Sequence, residues 1–166
     1  AQPGVIRTRR TSPRLRVVEA GQPSPVPHLA LVRGGAPVGV VFRGVPGDHE
    51  FTSLVLAILN ADGKCRLPDE GILPRIRALR GPVRLRTFVS LACTNCPDMV
   101  QALNLISCYG LVHGDFQHEM WDGALAQDEV SRLGIRGVPV VFADGQLLHV
   151  GKQIWRVVDL FEERLG

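Results

Sequence analysis

The residues best suited to chemistry are two cysteines, Cys93 and Cys96, in the segment Cys-Thr-Asn-Cys-Pro. An apolar run, Val83 to Leu91, precedes them, and a helical pattern, Pro97 to Tyr109, follows. A thiol at the start of a helix meets unpaired backbone N–H groups and the positive end of the helix dipole, so its thiolate is favoured. Cys93 therefore reads as an attacking nucleophile with a lowered pKa. Cys96, one turn on, reads as the buried thiol that resolves a mixed disulfide. Pro97 suits a first helical turn, where its missing N–H would have had no partner. The rival use of such a pair is half of a zinc site, completed by Cys108 and His113. If Pro97 to Tyr109 is one continuous helix, Cys108 lies about 18 Å along its axis from Cys96, too far to share an ion. No metal is expected, Cys108 reads as a small core residue, and Cys65 as an incidental loop thiol.

The elements that must position this pair can be read from periodicity. Val83 to Leu91 alternates as a strand, with Val83, Leu85, Thr87 and Val89 on one face and Arg84 and Arg86 on the other. A strand is expected within Leu111 to Met120, its polarity suggesting an edge or partly exposed position. Ala124 to Leu133 reads as helix, Val138 to Ala143 as a buried strand, Asp144-Gly145 as a hairpin turn, Gln146 to Val150 as the returning strand, and Gln153 to Leu165 as a closing helix. Upstream, Leu15 to Val18 reads as a strand. His28 to Val32 and Val38 to Phe42 read as a hairpin across Gly34-Gly35-Ala36-Pro37. Phe51 to Leu59 and Asp69 to Leu79 read as helices, with Pro74 in the first turn of the second.

The order from Val83 onward, βαβ–αββα, is that of a thioredoxin-like unit. Gly137-Val138-Pro139 stands where such folds carry a cis-proline facing the dithiol, and the backbone before it pairs with an extended substrate segment. Thr94, Asn95, Val138 and Pro139 are accordingly the expected substrate-binding positions.

Composition narrows the classes. The chain has 166 residues, 45% hydrophobic and 21% charged, long enough to bury a core without staples. A net charge of +3, with arginines gathered between Arg7 and Arg16, is weak for nucleic-acid binding. The apolar runs are too short to cross a membrane, and Ala1 to Arg10 shows no secretory pattern. One close cysteine pair with two scattered singles is the pattern of an intracellular redox protein or a metal site and not of a disulfide scaffold, and a cytoplasmic location is expected. The chain starts at Ala1, as a processed chain or an excised piece would.

Four segments carry a closer likeness: Gly47-Asp48-His49-Glu50-Phe51-Thr52-Ser53-Leu54-Val55-Leu56-Ala57, Cys-Thr-Asn-Cys-Pro-Asp from Cys93, Gln101-Ala102-Leu103-Asn104-Leu105, and Gly137-Val138-Pro139. With them the sequence resembles the N-terminal domain of AhpF, the flavoprotein component of alkyl hydroperoxide reductase, from about Arg16 to the C-terminus. The His-Glu-Phe-Thr-Ser part is the most specific, since no general thioredoxin requires it. The resemblance implies an α/β chain of two fused thioredoxin-like folds. The first, residues 1–80, lacks a dithiol and is truncated at its N-terminus; the second, residues 81–166, is complete and carries the dithiol. It implies a thiol–disulfide oxidoreductase that passes electrons from a flavoprotein dithiol to the disulfide of a peroxiredoxin, the AhpC-like component of the same system. Glu50 would lie near the sulfurs, where a carboxylate can tune thiol pKa and move protons. On the residues alone, Glu50 is a negative charge favoured in the first turn of its helix.

Two departures matter. The family usually has histidine where Thr94 stands, which implies a different redox poise for Cys93. No G-x-G-x-x-G follows a strand, so FAD and NAD(P)H are expected on a partner domain or protein and not on this chain. The alternative is a general protein disulfide oxidoreductase or a glutaredoxin. Gly137 and Gly151-Lys152 do not match the usual glutathione-binding positions.

Overall fold

The computed structural model describes residues 26–64, 71–109 and 116–165. Leu15 to Val18, Cys65 and His113 lie outside these residues, so the first expected strand is not part of the fold described below.

Strands β1 (His28–Arg33) and β2 (Ala36–Arg43) form a hairpin. Its two-residue turn is Gly34-Gly35, and both glycines have positive φ (59° and 89°), as a type I′ turn requires. A 3-10 turn, Asp48–Glu50, then leads into α1 (Phe51–Ala61), followed by α2 (Ile72–Ala78). Next come β3 (Val83–Val89), α3 (Cys96–Tyr109), β4 (Phe116–Asp122), α4 (Gln127–Arg132), β5 (Val140–Ala143), β6 (Gln146–Val150) and α5 (Ile154–Leu165). All strands join one six-stranded sheet in the order β1-β2-β4-β3-β5-β6. β2, β4 and β3 run parallel, while the pairs at either side are antiparallel. Strands from both sides of the 80/81 division therefore share a single sheet. Among the described residues, no helix is long and apolar enough to cross a membrane.

Three clusters make the core. Under α3 and α5, Leu85, Phe116 and Val141 from the sheet meet Met99, Leu103 and Val157 from the helices. Under α1, Val40, Phe42 and Met120 meet Ala57, Ala61, Val100 and Cys96. On the opposite face, Phe88, Val140 and Phe142 pack beneath the α4 segment. Gly39 (φ 77°) lets β2 approach β4, since an added Cβ there would strike the carbonyl oxygen of Phe116.

The expectation for β4 is met in one half and not in the other: the strand lies inside the sheet, between β2 and β3, and not at an edge, while Gln117, Glu119 and Trp121 are partly exposed along one side. Its polar residues are satisfied internally. His118 is fully buried, with Nδ1 2.7 Å from Asn104 Oδ1 and Nε2 2.8 Å from Thr87 Oγ1. A carbonyl oxygen can only accept, so Nδ1 carries the hydrogen and Nε2 accepts from the Thr87 hydroxyl. This neutral ring ties α3 to β3 and β4. On the other face Glu119 accepts from Arg43 at 3.2 Å and from Trp121 Nε1 at 2.8 Å. The α4 helix is also shorter than expected at its start. There the chain turns around Asp122, whose carboxylate accepts from the Ala124 N–H at 2.9 Å.

Burial lowers the His118 pKa from 6.5 to about 3. Between those values the unfolded chain binds a proton that the folded chain refuses. The neutral ring's contribution is thus complete above pH 6.5 and declines as pH falls towards 3, by up to about 1.4 kcal/mol per pH unit. His118→Gln should lower stability at pH 7 by about 1–3 kcal/mol and lose less on acidification than the parent. Urea unfolding at pH 7 and 4.5 checks this; parallel acid dependence in the two proteins would contradict it.

Candidate functional site

Parallel strands deliver their C-terminal ends to one edge of the sheet, and the loops that follow them gather there. After β3 the chain turns through Ser90 to Asn95, with the Cys93 N–H donating to Ser90 O at 2.9 Å, and enters α3 at Cys96. After β2 it passes Gly44 and reaches Asp48, whose φ of 45° lies in the left-handed region that Asp tolerates. That turn brings the His49 N–H to Leu91 O, 3.4 Å away, on the dithiol loop. Phe88 of β3 pairs antiparallel with Val140, so Gly137 to Pro139 enter the sheet at the same end.

Cys93 and Cys96 form a disulfide, their Cα atoms 5.5 Å apart. The two sulfurs differ in access. Cys96 is fully buried within the α1–β2–β4 cluster, while Cys93 is only half-buried at its margin. Thr94 and Asn95 between them are exposed. The Val138–Pro139 bond is cis; Pro139 is buried, and its carbonyl accepts from the Gly151 N–H at 2.9 Å. Val138 is exposed and precedes the first ladder pair, leaving its backbone outside the sheet. α3 is one continuous helix to Tyr109, so Cys108 stands at its far end from Cys96, too distant to share a zinc ion with it. Among the described residues, no three His, Cys, Asp or Glu side chains gather as a metal site.

Glu50 is fully buried, and neither of its carboxyl oxygens has a hydrogen-bond partner. Its surroundings bracket the dithiol: His49 bonds the loop before Cys93, and the charge of Asp98, just after Cys96, acts on it. Burial pushes the Glu50 pKa up, the Ser53 hydroxyl opposes that rise, and Asp98 adds to it. A carboxyl held above its usual range can take up and release a proton where a surface carboxylate stays ionised. Residue types alone gave no sign that Glu50 is buried; the resemblance did. Sequence reasoning assigned no role to Ser53, Gln101, Thr87, Asn104 or His118, because each acts through a partner on another element.

A cleft of about 460 Å³ opens elsewhere, among Val26, Arg43, Arg86, Trp121 and Arg132. It contains neither sulfur, and its arginines are paired, Arg43 with Glu119 and Arg86 with Glu129. Of the two sulfurs, that of the half-buried Cys93, beside the exposed Thr94 and Asn95, is the more accessible.

A sheet of this topology with a dithiol at the head of α3 and a cis-proline entering β5 defines a thioredoxin-like disulfide oxidoreductase fold. A protein disulfide oxidoreductase from Aeropyrum pernix shares that fold, with a TM-score of 0.68 at 22% identity over 85% of this chain and 62% of its own. The N-terminal domain of the alkyl hydroperoxide reductase AhpF from Enterococcus faecalis superposes with a TM-score of 0.73 at 30% identity, covering 81% of this chain and 64% of that one. In sequence, the chain is 44% identical over 120 residues to the F component of the alkyl hydroperoxide reductase of Staphylococcus epidermidis, which is 72% of this chain and 23% of that protein. It is 39% identical over 126 residues to a protein of Ferdinandcohnia aciditolerans named NADH dehydrogenase, which is 76% of this chain and 24% of that one. No protein-family model matches. The chain is a homologue of the N-terminal domain of AhpF, and it spans about a quarter of the length of these curated relatives.

The raised Glu50 pKa has a signed consequence. The folded chain keeps this proton over a range, above 4.5, where the unfolded chain releases it. The stability it contributes is full below pH 4.5 and is lost as pH rises through the raised value. Glu50→Gln cannot ionise, so its thermal midpoint should match the parent's at pH 4 and exceed it at pH 8. An equal offset at both pH values would mean that Glu50 is not held up by burial.

Proposed function

We propose that this chain is the thiol–disulfide relay of an alkyl hydroperoxide reductase system, carrying electrons from a flavoprotein dithiol to the disulfide of an AhpC-like peroxiredoxin in the cytoplasm. The observation that carries the reading is the asymmetry of the dithiol: Cys93 half-buried beside exposed residues, Cys96 fully buried at the head of α3, and a buried carboxyl at the same sheet end.

The reaction balances as a two-electron exchange. The Cys93 thiolate attacks one partner sulfur, a Cys93–partner disulfide forms, and the other partner sulfur leaves as a thiolate and takes a proton. Cys96 loses its proton and attacks Cys93 Sγ. The mixed disulfide breaks, and the second partner sulfur leaves and is protonated. The chain ends as the Cys93–Cys96 disulfide and the partner as a dithiol. The flavoprotein dithiol reverses the change by the same exchange, and FAD and NAD(P)H belong to that domain or protein.

Each residue has a place. The helix N-terminus favours the Cys93 thiolate. Glu50 takes the Cys96 proton. The free backbone of Val138, with Pro139 fixed behind it, holds an extended segment of the partner, and the exposed Thr94 and Asn95 meet the residues flanking its disulfide. With Thr94 in place of the family's histidine, the thiolate relies more on the helix end. The division at 80/81 is then one of role. The dithiol-free unit supplies Glu50 and the wall behind Cys96, and the second unit supplies the sulfurs.

Cys96→Ser leaves the attack intact and removes resolution, so incubating the reduced variant with the oxidised peroxiredoxin should accumulate a Cys93-linked species resolved by non-reducing electrophoresis and mass spectrometry. Trapping of assorted proteins in preference to the peroxiredoxin would favour the general oxidoreductase. Absence of any adduct would contradict the relay.

A further inference from the structure

The helices α1 and α3 carry the two halves of the site, Glu50 at the head of one and Cys96 at the head of the other. A polar contact joins them where they cross: Gln101 Nε2 donates to Ser53 Oγ at 3.3 Å. Ser53 is fully buried, one helical turn beyond Glu50, and Gln101 lies little more than one turn along α3 from Cys96. Inside a helix, alanine would be the better helix former and would bury no hydroxyl. The buried hydroxyl calls for another explanation.

A serine hydroxyl has one hydrogen to give and lone pairs to receive. Gln101, as donor, occupies a lone pair and leaves the hydrogen available. The buried polar group one turn before Ser53 on the same helix face is the Glu50 carboxyl, whose oxygens are not hydrogen-bonded in the resting geometry. A neutral carboxyl tolerates this at moderate cost. A carboxylate does not, because burying a charge without a hydrogen bond is far more unfavourable.

Resting on the reading of Glu50 as the proton acceptor in the relay, we infer that Ser53, oriented by Gln101, is a positioning residue that turns its hydroxyl onto the Glu50 carboxylate whenever Glu50 is without its proton. The cycle needs that state. Glu50 must be a carboxylate to accept the proton of Cys96 as Cys96 Sγ attacks Cys93 Sγ. In that step the Cys93–partner bond breaks, the partner sulfur leaves with the bonding pair, and a proton from solvent neutralises it. Gln101 thereby links the helix that carries the sulfurs to the hydroxyl that prepares their base.

The test is the pH dependence of the second step of a single turnover between the reduced chain and a small aromatic disulfide, the release of the second aromatic thiolate as Cys96 attacks, with the acid limb of its rate read from pH 5 to 9. Ser53→Ala should move the midpoint of that limb up by about one pH unit, since a charge-assisted hydrogen bond is lost from the ionised form. Ser53→Thr, which keeps the hydroxyl, should restore it, and Gln101→Met should move it in the same direction by less. In a Glu50→Gln background, Ser53→Ala should have no further effect on the profile. If Glu50→Gln removes the acid limb while Ser53→Ala leaves its midpoint in place, the inference about Ser53 is wrong and the role of Glu50 stands. If Glu50→Gln leaves the limb unchanged, Glu50 is not the acceptor, and the inference falls with it.

Discussion

Three parallel strands, β2, β4 and β3, end at one edge of the sheet, and the chemistry of this chain depends on that alignment. Parallel neighbours cannot be joined by tight turns, so each chain segment must leave that edge and return along a face of the sheet. The segment leaving β3 becomes α3, which puts Cys96 at a helix N-terminus against the core. The segment leaving β2 becomes the Asp48–Glu50 turn and α1, which puts a carboxyl beside the loop that bears Cys93. The cis-proline enters β5 from the same end because β5 runs antiparallel to β3.

Holding these pieces in register requires polar contacts in places where apolar packing would be simpler. The neutral His118 ring ties α3 to two strands, and Gln101 ties it to α1 through Ser53. A buried Glu50 lowers stability at neutral pH, and in the proposed relay it is the acid–base group that a surface carboxylate could not supply. Packing and chemistry therefore pull in opposite directions around Glu50, as is common where a site is built into a core.

Local features were readable in the sequence, and features that depend on distant partners were not. The dithiol, Pro97, the Gly34-Gly35 turn and the amphipathic helices each announce themselves within a few residues. The interior position of β4 was not legible because His118 and Glu119 look like surface residues until Thr87, Asn104 and Arg43 are placed around them. The α4 start was misread because a turn around Asp122 has the same composition as a helical turn. Glu50 depended on a family likeness, and Ser53 on Gln101, 48 residues away, which no periodicity connects to it.

The central claim is that Cys93 and Cys96 are a working redox couple and not a structural staple. The most direct measurement is the reduction potential of the pair, obtained by equilibrating the chain with dithiol buffers and counting alkylated sulfurs by mass. A relay that both accepts and donates electrons should fall between about −200 and −280 mV, within reach of other dithiol carriers. A value well below about −300 mV, where structural disulfides resist reduction, would contradict the account.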